Sequence, residues 1–263
     1  MFAAFNISQF RVFDDDIYYS IGQKYYAEIN DGIHSLLDTY LASDGTLKAE
    51  NIMADWFPQL DCNVFISHSH KDEKDAIKLS GWLQEKFSLK PFVDSCVWGY
   101  ANKLLKEIDD RYCATGENLY SYDKRNKTTE HVHLMLMNAL TKMIDTCECV
   151  FFLNSPNAAY SSENLEDRTL SPWIFSELAA VRTIRIRFPK RLPLRVFSVE
   201  KLNESVFNKE IFSYLLDLNK LIPLSAETML NWRNKGKTGE SALDALYELK
   251  RDTLKYFIQH YGK

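Results

Sequence analysis

Cys62-Asn63-Val64-Phe65-Ile66-Ser67 is a short, almost wholly apolar run, and its neighbours decide the fold. A strand with one wet face alternates apolar and polar residues, whereas one covered on both faces is apolar along its length. An amphipathic helix follows, with Ala76, Leu79, Leu83 and Phe87 on one side. The pattern then repeats. Pro91-Phe92-Val93-Asp94 reads as a strand, and residues 101–112 as a helix carrying Leu104, Leu105, Ile108 and Tyr112. Residues 115–130 are polar and read as a surface insertion, and the helix after them shows Val132, Leu136, Ala139 and Met143. Cys149-Val150-Phe151-Phe152-Leu153 is a third buried strand, Leu194 to Val199 a fourth, and Leu221 to Leu224 a short fifth. Residues 207–218 and 241–261 read as helices. Strands alternating with helices predict a parallel sheet wrapped on both faces, with its ligand site at the carboxyl ends of the strands.

Before this region, residues 1–60 read as helical. Ile29, Ile33, Leu36, Leu37 and Tyr40 recur at helical spacing until Ala42-Ser43-Asp44-Gly45 breaks it, and a second short helix covers residues 47–56. The organisation expected is therefore an N-terminal helical extension over 1–60 and an α/β domain over 61–263.

Composition narrows the function. Of the 263 residues 46% are hydrophobic and 26% charged, the balance of a globular domain with a substantial core. A formal charge of −4 gives no general attraction to nucleic acid or anionic membrane. The basic run Arg182, Arg185, Arg187, Lys190, Arg191 and Arg195 reads as a solvated helix end and loop rather than a phosphate-binding strip. Five cysteines without framework spacing fit a reducing cytoplasm, and Cys147 and Cys149 lack the second pair a zinc site needs. No run approaches the ~20 apolar residues that span a bilayer. A soluble cytoplasmic protein is expected, with no metal.

Two motifs carry a resemblance. Val64-Phe65-Ile66-Ser67-His68-Ser69-His70-Lys71-Asp72-Glu73 resembles the opening strand and loop of Toll/interleukin-1 receptor (TIR) domains. About a hundred residues later, Ser171-Pro172-Trp173-Ile174-Phe175-Ser176-Glu177 resembles the family's Ser-x-Trp-Cys-x-x-Glu segment, whose glutamate is catalytic in NAD-cleaving members. The resemblance covers residues from about 61 onward, and after Val199 it extends only to layout. Ile174 stands where Cys is common. The loop Ser95-Cys96-Val97-Trp98-Gly99-Tyr100 lacks the Pro-Gly pair of receptor-type members, and residues 115–130 are unusual. The resemblance implies a flavodoxin-like five-stranded parallel sheet with helices on both faces. It also implies cleavage of NAD+ at the nicotinamide–ribose bond, with NAD+ as substrate and no resident cofactor. For bacterial stand-alone members it implies a role in anti-phage defence, where an ADP-ribose-derived signal reaches a separate effector. Self-association through TIR–TIR contacts is expected on the same ground.

The chemistry fits these residue types. Breaking the bond to a cationic nicotinamide develops oxocarbenium character on the ribose, which a nearby carboxylate stabilises. Glu177, in the second turn of a helix opened by Ser171 at the N-cap and Pro172 at the first position, is the candidate. Trp173 lies four residues earlier on the same face. Ser67, His68, Ser69 and His70 either hold ribose and phosphate or form the turn that caps the helix starting near Asp72. Asp94 contacts substrate or ends its strand. Trp98 and Tyr100 stack on a base or pack against a neighbouring subunit. His131 and His133 read as structural. The rival class is a non-catalytic TIR scaffold signalling by homotypic contact. A third is a nucleoside glycosyl-transferring enzyme of similar topology. No G-x-G-x-x-G or Walker motif is present, and Leu153-Asn154-Ser155 lacks the aspartate of a phospho-receiver.

Overall fold

The computed structural model describes residues 1–29, 36–99, 101–117, 119–161, 166–192 and 213–261. Its centre is a five-stranded, all-parallel sheet formed by β1 (Ala3–Ile7), β2 (Val64–Ser67), β3 (Pro91–Phe92), β4 (Cys149–Leu153) and β5 (Ile222–Leu224). The spatial order is β5-β1-β4-β2-β3. Helices surround it, so the expected α/β class holds. The three inner strands are almost wholly apolar, as double coverage requires: Val64, Phe65 and Ile66, every residue of β4, and Ala3, Ala4, Phe5 and Ile7 are solvent-free. The edge strands are short and each carries a proline, which limits further pairing.

One strand departs from the sequence reading. Residues 3–7, expected to be helical, form β1 and pair with β4 on one side and β5 on the other. The cause is legible afterwards: Ala-Ala-Phe-Asn-Ile is too short for a helix to bury and apolar enough to be covered on both faces. The 1–60 extension is therefore not wholly helical: α2 (Ala49–Trp56) is a helix as expected, but α1 (Asp16–Ile29) ends where the periodicity of Ile29 to Tyr40 begins, Ile33 lies outside the described residues, and Leu36 is not helical. Leu37–Tyr40 is one short 3-10 turn. Leu194 to Val199, the expected fourth strand, lies outside the described residues, as does the start of the helix expected from Phe207. Beyond it, Tyr214–Leu215 is a strand and Leu218–Lys220 a 3-10 turn rather than that helix's end.

Contacts divide the chain into two compact units. The first holds Met1–Tyr25, Asp61–Val93 and Ile144–Lys263 and contains the whole sheet. On one face of the sheet an aromatic cluster joins α3 (Glu73–Phe87) to α8 (Ala226–Asn234): Phe87 stacks on Trp232 at 3.9 Å, and Trp82 and Phe151 meet the same indole edge-on. Trp232 Nε1 donates to the Ala242 carbonyl at 2.7 Å, so the buried ring leaves no polar debt. Helices α1 and α3 cross at backbone contact, where a Cβ on Gly81 would lie 1.9 Å from the Tyr18 carbonyl oxygen. The closing helix expected over 241–261 is two helices, α9 (Glu240–Leu249) and α10 (Arg251–Tyr261). The basic run is partly structural: Arg191 bonds Glu148 at 2.6 and 2.9 Å and Asp244 at 2.9 Å, joining the segment after α7 (Pro172–Thr183) to the start of β4 and to α9.

The second unit holds Tyr26–Leu60 and Asp94–Met143. It contains α2, α4 (Asp94–Trp98), α5 (Ala101–Tyr112) and most of α6 (Tyr122–Thr146). The polar stretch expected as an insertion is in part a helix, since α6 begins at Tyr122; before it, Ala114–Gly116 pairs with Leu119–Tyr120. His131 and His133 therefore sit well inside α6 rather than at its start. Asp109, buried, accepts from Arg125 Nε at 2.9 Å and Thr128 Oγ1 at 2.6 Å, fastening α5 to α6.

Candidate functional site

The site is built where the sheet reverses its winding. From β2 the chain proceeds to β3 on one side, and from β4 to β5 on the other, so β2 and β4 flank the switch point at which α/β sheets bind ligands. Ser67 is the last residue of β2 and pairs in register with Phe152 of β4.

Above this point α7 begins as the sequence predicts. Ser171 is its N-cap and accepts from the Ile174 amide at 3.3 Å, Pro172 is the first helical residue, and Thr169 Oγ1 accepts from the Ser171 amide. Phe175 stacks on Tyr214 at 4.6 Å and anchors the helix to a small three-stranded sheet of Tyr160–Ser161, Asp167–Thr169 and Tyr214–Leu215. This start fixes the second turn of α7. It places the Glu177 carboxylate within 2.5 Å of Ser67 Oγ, which donates to Oε2. Glu177 is 2% exposed and Ser67 fully buried. A bare carboxylate in such a position would carry a large desolvation cost, and the short charge-assisted bond offsets part of it. Trp173, one turn earlier, is 36% exposed, so one face of α7 runs from solvent to the buried acid.

A second cluster locks the neighbouring loops. Asp72 occupies the N-cap position of α3 but makes no capping bond. Its carboxylate instead accepts from Ser155 Oγ and, at 2.6 Å, from Asn157 Nδ2. Ser155 Oγ in turn accepts from the amides of Asn157 and Ala158 at 3.0 and 3.1 Å. The loop leaving β2 and the loop leaving β4 are thus tied through one buried acid. Burial, aided by this Asp72 charge, pushes the Asp75 carboxyl above its ordinary value.

Of the sequence candidates, Ser67 and Glu177 meet directly, and His68, Ser69 and Asp72 are buried beside them in the chain. The role of Asp72 is to hold loops together, and its own side chain does not cap α3. His70 is exposed and faces Glu73 at 3.9 Å. Asp94 and Trp98 belong to the second unit, where Asp94 opens α4 and is half-buried, and Tyr100 lies outside the described residues. Ser155 and Asn157 were not singled out in the sequence; the signal was Asn-Ser-Pro-Asn directly after an apolar strand. Among the described residues no three His, Cys, Asp or Glu side chains gather as metal ligands do, and no helix is long and apolar enough to cross a membrane.

No protein-family model, curated protein or solved structure matches the chain.

Proposed function

We propose that the chain is a TIR-type enzyme that cleaves NAD+ at the nicotinamide–ribose bond. One observation carries the reading: a carboxylate, Glu177, held buried by Ser67 at the switch point of a parallel sheet. In this reading the bond between the anomeric carbon and the pyridinium nitrogen breaks, and its electron pair neutralises nicotinamide, which leaves. The ionised Glu177 faces the positive charge that grows on the ribose, and Ser67 fixes the carboxylate in place before the charge develops. Water then attacks the anomeric carbon and loses a proton to give ADP-ribose, or a nucleophile of the same molecule closes a cyclic isomer. Nicotinamide departs as a neutral base, so neither a metal nor a general acid is called for. Trp173, partly exposed on the same helix face, offers a flat wall for the nicotinamide.

The setting that follows from the resemblance is a cytoplasmic bacterial anti-phage system in which the product signals to a separate effector and the enzyme self-associates through TIR–TIR contacts. The test is to incubate the purified chain with NAD+ and follow nicotinamide by chromatography, beside Glu177→Gln. Release that disappears with the substitution supports the reading. If the folded, concentrated wild type releases none, the non-catalytic scaffold takes its place.

A further inference from the structure

Beside the carboxyl ends of β1 and β5 the first unit opens into a hollow of about 370 Å³, within the range of small-molecule pockets. Ile222 of β5 with Tyr256 and Phe257 of α10 gives it an apolar, aromatic side. Asp167, Asn154 and Asn219 give it polar groups. Neither Ser67 nor Glu177 lines it, so it is a second site, apart from the buried acid.

Asp167 sets its chemistry. In the small three-stranded sheet Tyr160 pairs with Arg168, and Arg168 with Leu215. Residues directly opposite across a ladder share a face, and Tyr160 and Leu215 are exposed, so theirs is the outer face. Neighbours along a strand point the other way. Asp167 and Thr169 therefore face inward, where Thr169 is buried and its ladder partner Tyr214 stacks on Phe175 of α7. Asp167 is half-buried, and its carboxylate has no ion-pair or hydrogen-bond partner among the described residues. The cations nearby are engaged by other acids: Arg168 bonds Glu166 at 3.1 Å, and Arg182 faces Asp217 at 3.9 Å.

A carboxylate drawn partly out of water without a counter-charge carries a desolvation cost that an incoming cation would offset. A ligand that brings an ammonium group to Asp167 gains a charge-assisted hydrogen bond. The aromatic rings on the other side attract positive charge through their faces and cover an apolar body with their edges. We infer that this hollow binds a small organic amine, its ammonium on Asp167 and its apolar or aromatic body against Ile222, Tyr256 and Phe257. Such a site calls on neither Glu177 nor NAD+.

The probe is 2-phenylethylamine, titrated calorimetrically into the full chain. Beside it run 2-phenylethanol, its neutral counterpart, and phenylacetate, its anionic one. Wild type is expected to bind the amine with a millimolar or tighter Kd, the alcohol at least tenfold more weakly, and phenylacetate not at all. Binding of phenylacetate as tight as that of the amine would give control of the hollow to Lys220, on the turn beside Asn219, and overturn the proposal. Asp167→Asn keeps the side-chain shape and the backbone ladder, and is expected to bring amine and alcohol within twofold of each other. Thr253→Trp, at an exposed position of α10 on the rim, fills the hollow and is expected to weaken the amine at least tenfold without moving the unfolding midpoint. The proposal falls if the amine fails to bind at millimolar concentration, if the alcohol binds as tightly, or if either substitution leaves amine binding unchanged.

Discussion

Ser67 Oγ donates to Glu177 Oε2 across 2.5 Å, and both side chains are shielded from water, although 110 positions separate them in the chain. The bond orients an acid that the rest of α7 only brings near. If the proposed NAD+ cleavage is the activity, Ser67→Ala is therefore expected to lower kcat for nicotinamide release by about ten- to a hundredfold, the worth of one hydrogen bond to a charged group. Steady-state kinetics would check this, with KM changing little. A Ser67→Ala, Glu177→Gln double variant should be no slower than Glu177→Gln alone, since the serine acts through the acid.

The bonds from Ser155 and Asn157 to Asp72 predict an effect on stability. Asp72→Ala strips both donors of their acceptor, in a place where the aspartate is 5% exposed. The expected loss is about 2–3 kcal/mol, measured by urea denaturation. Asp72→Asn keeps an acceptor and should lose about half as much. Equal losses for the two would show that the charge, and not the tie between loops, matters.

Close approach of α1 and α3 predicts intolerance at Gly81. A methyl there meets the Tyr18 carbonyl oxygen, which is backbone and cannot turn aside. Gly81→Ala should destabilise by about 3 kcal/mol, read as a lowered unfolding midpoint. An unchanged midpoint would mean that α1 slides away without cost.

Alkaline pH should weaken the fold, and Cys62 supplies one measurable part. Burial, offset in part by the Tyr25 hydroxyl, pushes its thiol up to about 11. Below the unfolded value both states are protonated, and the contribution is fully present. Between the ordinary thiol value and 11 the unfolded chain ionises first, so stability falls as pH rises through that window. Relative to neutral pH, the loss from this group is on the order of 2 kcal/mol. Urea midpoints at pH 8 and pH 10.5 would show it, and Cys62→Ala should flatten the slope. Burial raises Cys147 and Cys149 in the same direction, so some slope should persist.

Where the sequence spoke clearly, it did so through pattern rather than identity. Apolar runs with flanking amphipathic helices gave four strands of the sheet, all among the described residues, while a fifth expected run lies outside them, and Ser171-Pro172 located the start of α7 to the residue. The same rule misread Ala3–Ile7, because a five-residue apolar run is ambiguous between strand and buried helix until its partners are known. The Ser67–Glu177 pair was legible as two candidates on one edge, but not as a bond. The tie through Asp72 was hidden for a different reason: an aspartate before a helix is the usual cap, and only the loop after β4 diverts it. The buried Asn6 Oδ1, which has no hydrogen-bond partner among the described residues, could not be seen at all, since its place in β1 depends on a segment expected to be helical.

The placement of β1 has a consequence for how the protein is made. Residue 3 must find residue 149, and residue 7 must find residue 224, before the centre of the sheet exists. Such distant pairing slows assembly, because long loops have to close before their contacts reward them. On the ribosome β1 emerges ahead of both its partners and is among the last strands of the sheet to be enclosed, so its apolar side chains wait exposed until β4 and β5 are made. Chaperone demand during expression, and a folding rate set by docking of this segment, are what that arrangement implies.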